Sequence, residues 1–159
     1  MQNEGIGRPV MGGFVANLVV FMVTPLVVNG VIFGLGVQRD GGADTGLPPG
    51  WVVGTIWLVL FAAMGVARWL LLRAAQTQGE QRRVEWVSAL AFLCLLYPVY
   101  TRGFSDLSAG LVGNVVTWLV AVPVAVYAFR RVRVAGWWLV PLVAWLSYAG
   151  WVTARLVYR

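Results

Sequence analysis

The sequence contains no histidine, no lysine and a single cysteine, and only 11% of its residues are charged. Without histidine, a His-ligated metal or haem, a Ser-His-Asp triad and an imidazole proton relay are all excluded. Cys94 stands alone inside an apolar run, so no disulfide can form within the chain, and CxxC-type metal spacing is absent. A soluble domain carries about a quarter of its residues charged; this chain of 159 residues has less than half of that. Acidic side chains are scarce too. Glu4, Asp40, Asp44, Glu80, Glu85 and Asp106 all fall between apolar blocks or at their edges. Catalysis by paired carboxylates and proton-coupled transport through intramembrane acids therefore have no residues to run on. No catalytic residue, no metal ligand and no required cofactor is expected.

What is abundant is apolar: 60% of the residues, with a mean hydropathy of +0.78. A helix needs about 20 apolar residues to cross the hydrocarbon layer. Five blocks qualify: Val10–Gly34, Trp51–Leu72, Val84–Tyr100, Leu107–Phe129 and Val134–Tyr158. Lipid offers no partner for backbone N–H and C=O groups, so each block must be a helix. The predicted class is an all-α membrane protein, a five-transmembrane-helix bundle forming one domain over residues 1–159. The first block is far longer than the apolar core of a signal peptide, about 7–15 residues, and is read as a span. Leu35–Gly50 is the longest linker. Arg73–Arg83, Thr101–Asp106 and Arg130–Arg133 are short, which makes consecutive helices antiparallel.

The net charge of +6 rests on 12 arginines, which, Arg68 apart, sit between the blocks or at their edges rather than cluster on a polar face. That is a membrane distribution, so nucleic-acid binding is not expected. Arg8, Arg73, Arg82, Arg83, Arg130, Arg131 and Arg133 fall on one side, and Arg39, Arg102, Arg155 and Arg159 on the other. The bias predicts a cytoplasmic N-terminus, with Leu35–Gly50 and the C-terminus outside, in a bacterial inner membrane. Pro25, Pro98, Pro123 and Pro141 lie within spans, where each removes a helical hydrogen bond and favours a kink. Small residues recur at four-residue spacing at Gly30/Gly34, Ala63/Ala67, Ala109/Gly113 and Gly150/Ala154. Such pairs let helix backbones approach, and Gly30/Gly34 is the candidate seam of a homodimer.

Nine tryptophans are a large excess. Trp51, Trp69, Trp86, Trp137, Trp138 and Trp151 lie near span ends, where an indole is half in lipid and half in water. Trp57, Trp118 and Trp145 lie deeper. Trp57, Phe61, Met64 and Arg68 follow i, i+4, i+7, i+11 spacing and share one face of the second helix. On the fifth helix Pro141, Trp145, Tyr148 and Ala149 form a second stripe. Two facing stripes make either ordinary core packing or a slot for a flat apolar ligand. Arg68, near the cytoplasmic end of its span, either snorkels to the interface or receives a carboxylate from an amphiphilic ligand. Asn17, Asn29, Asn114, Thr24 and Thr117 form no ion path.

The run Pro48-Pro49-Gly50-Trp51-Val52-Val53-Gly54-Thr55-Ile56-Trp57, continuing through Phe61, Met64 and Gly65 to Trp69, resembles the second-helix signature of the TspO/MBR family. That signature, PP-x-W-x-x-G-x-x-W-x-x-L-[YF]-x-x-MG-x-A, is matched nearly throughout. Pro141, Trp145, Tyr148 and Ala149 match the fifth-helix pattern P-Y-x-x-W-x-x-[FY]-A. The departures are Leu142 for the Tyr, Val152-Thr153 for a closing Leu-Asn, and Leu93 and Leu96 for an Asn and a Trp on the third helix. The first loop also lacks the family's Trp and aromatic-Pro run. The resemblance implies a five-helix bundle, commonly a homodimer, with a pocket covered by the first loop. It implies porphyrin or other tetrapyrrole ligands, and in some members sterols. It puts Trp57 and Trp145 at the positions of two tryptophans implicated in light-dependent porphyrin breakdown, and Phe61 and Ala149 at further lining positions. The candidate ligand-binding set is Trp57, Phe61, Met64, Trp145, Tyr148, Ala149, Trp51 and Arg68. The function expected is a membrane receptor, sensor or carrier for a planar hydrophobic ligand. The alternatives are porphyrin photodegradation and a structural role beside larger membrane partners.

Overall fold

The computed structural model describes residues 11–34, 50–98 and 107–158. The expected loop over residues 35–49, the Thr101–Asp106 linker, and Arg8, Arg39, Arg102 and Arg159 lie outside the described residues. Five long helices follow in order: α1 (Met11–Gly34), α2 (Gly50–Ala74), α3 (Gln78–Leu95), α4 (Leu107–Arg131) and α5 (Arg133–Val157). Among the described residues there is no strand. α1, α2, α4 and α5 are each long and apolar enough to cross a membrane. Pro25, Pro123 and Pro141 sit inside α1, α4 and α5, whereas Pro98 falls beyond α3.

α2 is the hub, packed against each of the other four helices, while α4 and α5 form the tightest pair. The buried core reflects this: Met64, Ala67 and Leu71 of α2 meet Val87 and Leu90 of α3, Ala128 of α4, and Leu139 and Leu146 of α5. Small residues set the closest approaches. Asn114 of α4 donates through Nδ2 to the Leu146 carbonyl at 2.8 Å, and a Cβ at Gly150 would stand 2.6 Å from that nitrogen. Gly150 therefore makes room for a polar clamp between α4 and α5. Outside this core, valines on α1 such as Val15, Val19, Val23 and Val27 are exposed, as suits a face turned to lipid.

α3 departs from the sequence expectation. It starts at Gln78, six residues before the apolar block at Val84. Hydropathy is blind to the cause, which is a cap. Thr77 is extended and its hydroxyl accepts from the Glu80 amide at 3.2 Å. Glu80 in turn accepts from the Gln76 amide at 2.7 Å and pairs with Arg131 at the end of α4. This is a capping-box arrangement, displaced by one residue on its return arm. The Gln76 amide, then Arg131, hold the Glu80 carboxyl below its usual 4.5. A depressed native pKa means the contribution is complete above the ordinary value and is lost as pH falls through the native one. Accordingly, Glu80→Gln should lower the thermal midpoint in detergent at pH 7, and the gap from the parent should narrow at an acid pH below 4.5. Circular dichroism melts at the two pH values check this; a gap that is independent of pH would remove Glu80 as its source.

Candidate functional site

The site begins with a glycine. At Gly65 a Cβ would lie 3.1 Å from the Phe21 Cβ, so α1 runs directly over the α2 backbone there. The close approach lets Asn17 of α1 donate through Nδ2 to the Gly65 carbonyl at 2.6 Å. Asn17, Phe21 and Pro25, each a turn apart, are the buried stripe of α1. Beyond this crossing α1 and α3 diverge over α2 and leave a cleft of about 530 Å³. Phe61 and Arg68 form its α2 floor, and Ser88, Ala91, Phe92 and Leu95 its α3 wall. The volume is in the range of sites for drug-sized ligands, roughly 300–1,000 Å³.

The walls are apolar except at one end. There Arg68 donates from Nε to Ser88 Oγ at 2.8 Å, from one terminal nitrogen to Asn17 Oδ1 at 2.5 Å, and from the other to Glu85 Oε1 at 2.7 Å. Ser88 Oγ donates onward to Glu85 Oε2 at 2.8 Å. One guanidinium thus ties α1, α2 and α3 together. Its side chain is 21% exposed and that of Glu85 53%, so the ion pair faces the milieu on Glu85's side and the cleft on Arg68's. Arg68 turns inward to partners instead of snorkelling outward, as an intramembrane charge with an available counterion should.

One aromatic neighbour backs the cleft. Trp57 is buried and packs on Phe61, with ring centroids 6.0 Å apart, and on Tyr97 at 5.4 Å. On α5, Trp145 packs against the apolar core, with its ring 5.6 Å from Tyr148. The Trp145 Nε1 is buried with no hydrogen-bond partner among the described residues. Trp118 donates to Ser147 Oγ at 2.9 Å.

A family model for the TspO/MBR family matches residues 44–159. The chain belongs to the TspO/MBR family. A relative, the tryptophan-rich protein TspO of Chlorobaculum tepidum, is 30% identical over 115 residues, covering 69% of this chain and 70% of that protein. With helices that can span a bilayer, this makes it an integral membrane protein. α1 precedes the segment that matches the TspO/MBR model. The Asn17 side of the cleft is therefore carried by the part of this TspO/MBR chain outside that match.

Among the eight predicted site residues, Phe61 and Arg68 line the cleft and Trp57 supports it through Phe61. Met64 is fully buried in the core and Ala149 nearly so. Trp51, Trp145 and Tyr148 do not line the cleft, and Trp51 is 76% exposed at the start of α2. This cleft opens between α1, α2 and α3, and no residue of α5 is in its lining. Asn17, Ser88 and Glu85, which surround Arg68, are not among the eight predicted residues. Their signal was Arg68 itself, an intramembrane cation that needs a partner.

Proposed function

We propose that this TspO/MBR protein is a membrane receptor or carrier that binds a flat, largely apolar ligand such as a porphyrin. The observation that supports this best is the cleft between α1, α2 and α3, walled by Phe21, Phe61 and Phe92 and ended by one cation. Aromatic walls favour planar rings by offset stacking, worth about 0.5–1.5 kcal/mol per pair beyond area burial. Arg68 suits a ligand with a carboxylate at its edge, as a guanidinium matches that group bidentately. No metal ligation is needed in such a site. In this reading the protein sits in a bacterial inner membrane with its N-terminus in the cytoplasm, and the α1 face carrying Gly30 is the seam of a homodimer.

Protoporphyrin titrated into detergent-solubilised protein should quench tryptophan fluorescence saturably, because Trp57 lies against the cleft's Phe61. Phe61→Ala should weaken binding about tenfold through lost stacking and apolar contact. Failure of the parent protein to show saturable quenching up to roughly 50 µM would count decisively against a porphyrin site.

A further inference from the structure

The cation of the cleft already has a counterion. Glu85 reaches Arg68 from α3 through one oxygen, and its other oxygen is held by Ser88. A guanidinium has five N–H donors. Three of them are used, on Ser88, Asn17 and Glu85, so two have no acceptor among the described residues. Two of the three acceptors, Asn17 and Ser88, are neutral and line the cleft with Arg68, whereas Glu85 is the half-exposed partner outside its lining. The neutral pair fixes where the guanidinium points. The charge is supplied by the more solvated member, which is the easiest of the three to exchange.

We propose that Glu85 is a resident stand-in for the ligand's own carboxylate. It neutralises Arg68 while the cleft is empty and yields the guanidinium to a free amphiphile that brings an anionic head. Asn17 and Ser88 keep Arg68 aimed throughout. Binding is then an exchange of one ion pair for another, and the cleft selects for an acid over the same molecule without its charge. This rests on the ligand reading above and adds to it the chemical class of the head group and the residue that competes for the site.

The test uses the full chain in lipid-free neutral detergent with two probes: protoporphyrin as the free diacid and its dimethyl ester. Glu85→Gln keeps the side chain's size but removes the competitor. It should tighten the diacid roughly two- to fivefold, the range of a half-exposed ion pair, and leave the ester unchanged. If Glu85→Gln leaves the diacid unchanged or weakens it while both probes still bind, the stand-in role is wrong and the ligand reading survives. Equal tightening of acid and ester also overturns it, since that reports a looser cleft and not a freed charge. If neither probe binds the parent or any variant, the porphyrin reading fails and takes this inference with it.

Discussion

Gly65→Leu should lower the thermal midpoint of the solubilised protein by about 5 °C or more and abolish porphyrin quenching. At this position the α2 backbone meets Phe21 of α1 at a distance that leaves no room even for a methyl group without adjustment. The neighbour is the Phe21 Cβ, next to the α1 backbone, so a rotamer change cannot relieve the clash. α1 as a whole must move. Overpacking a close contact typically costs about 1–3 kcal/mol, and each kcal/mol moves the midpoint of a chain this size by about 2–4 °C. Moving α1 also breaks the bond from Asn17 to the Gly65 carbonyl and takes away one wall of the cleft. Cys94 makes the measurement convenient, as it is the lone thiol and is buried. Its reaction with a maleimide during heating reports opening of the bundle.

Gly54→Leu is the matched control, since a Cβ there meets nothing within 4 Å. It should change the midpoint by no more than about 1–2 °C. Gly30 is equally open, and Gly30→Leu separates two ideas that Gly65→Leu cannot. If the Gly30 face of α1 meets only lipid, the midpoint and the oligomeric state stay as they are. If α1 carries a dimer seam, light scattering on the purified protein should show the larger species lost.

The contrast between Gly65 and Gly30 shows how far the sequence could be read. Spans were legible because bilayer thickness writes itself into block length: α1, α2, α4 and α5 begin and end within two residues of the blocks. α3 was not, since its first turns, Gln78 to Arg83, are polar and are made helical by Thr77 and Glu80. Periodicity correctly put Trp57, Phe61, Met64 and Arg68 on one face. It could not say what that face meets, because neighbours are chosen by packing between helices distant in sequence. Met64 was claimed by the core, Phe61 by the cleft, and Trp145 by the packing of α5. Arg68 and Glu85 were closer to being readable as a pair. The short 75–77 connection makes α2 and α3 an antiparallel hairpin, which sets residues about equally far from the turn at the same level.

Arg68 carries the last large effect. Arg68→Met keeps the side chain's apolar length but leaves Asn17 Oδ1 without its donor and Ser88 and Glu85 without their cation. The half-exposed Glu85 can turn to solvent, so its loss is discounted. Asn17 is buried and cannot, and an orphaned buried acceptor costs about 1–3 kcal/mol. The expected result is a midpoint several degrees lower by the Cys94 assay and a diacid that binds no better than its ester. Arg68→Lys is the sharper variant. It restores the charge but offers a compact ammonium in place of a planar fork, so it loses the fixed geometry in which three separate nitrogens meet Ser88, Asn17 and Glu85. It should recover part of the preference for the acid and little of the stability. A fully stable Arg68→Lys protein would mean that charge alone holds the three helices at this end, and that the fork geometry of the guanidinium is incidental.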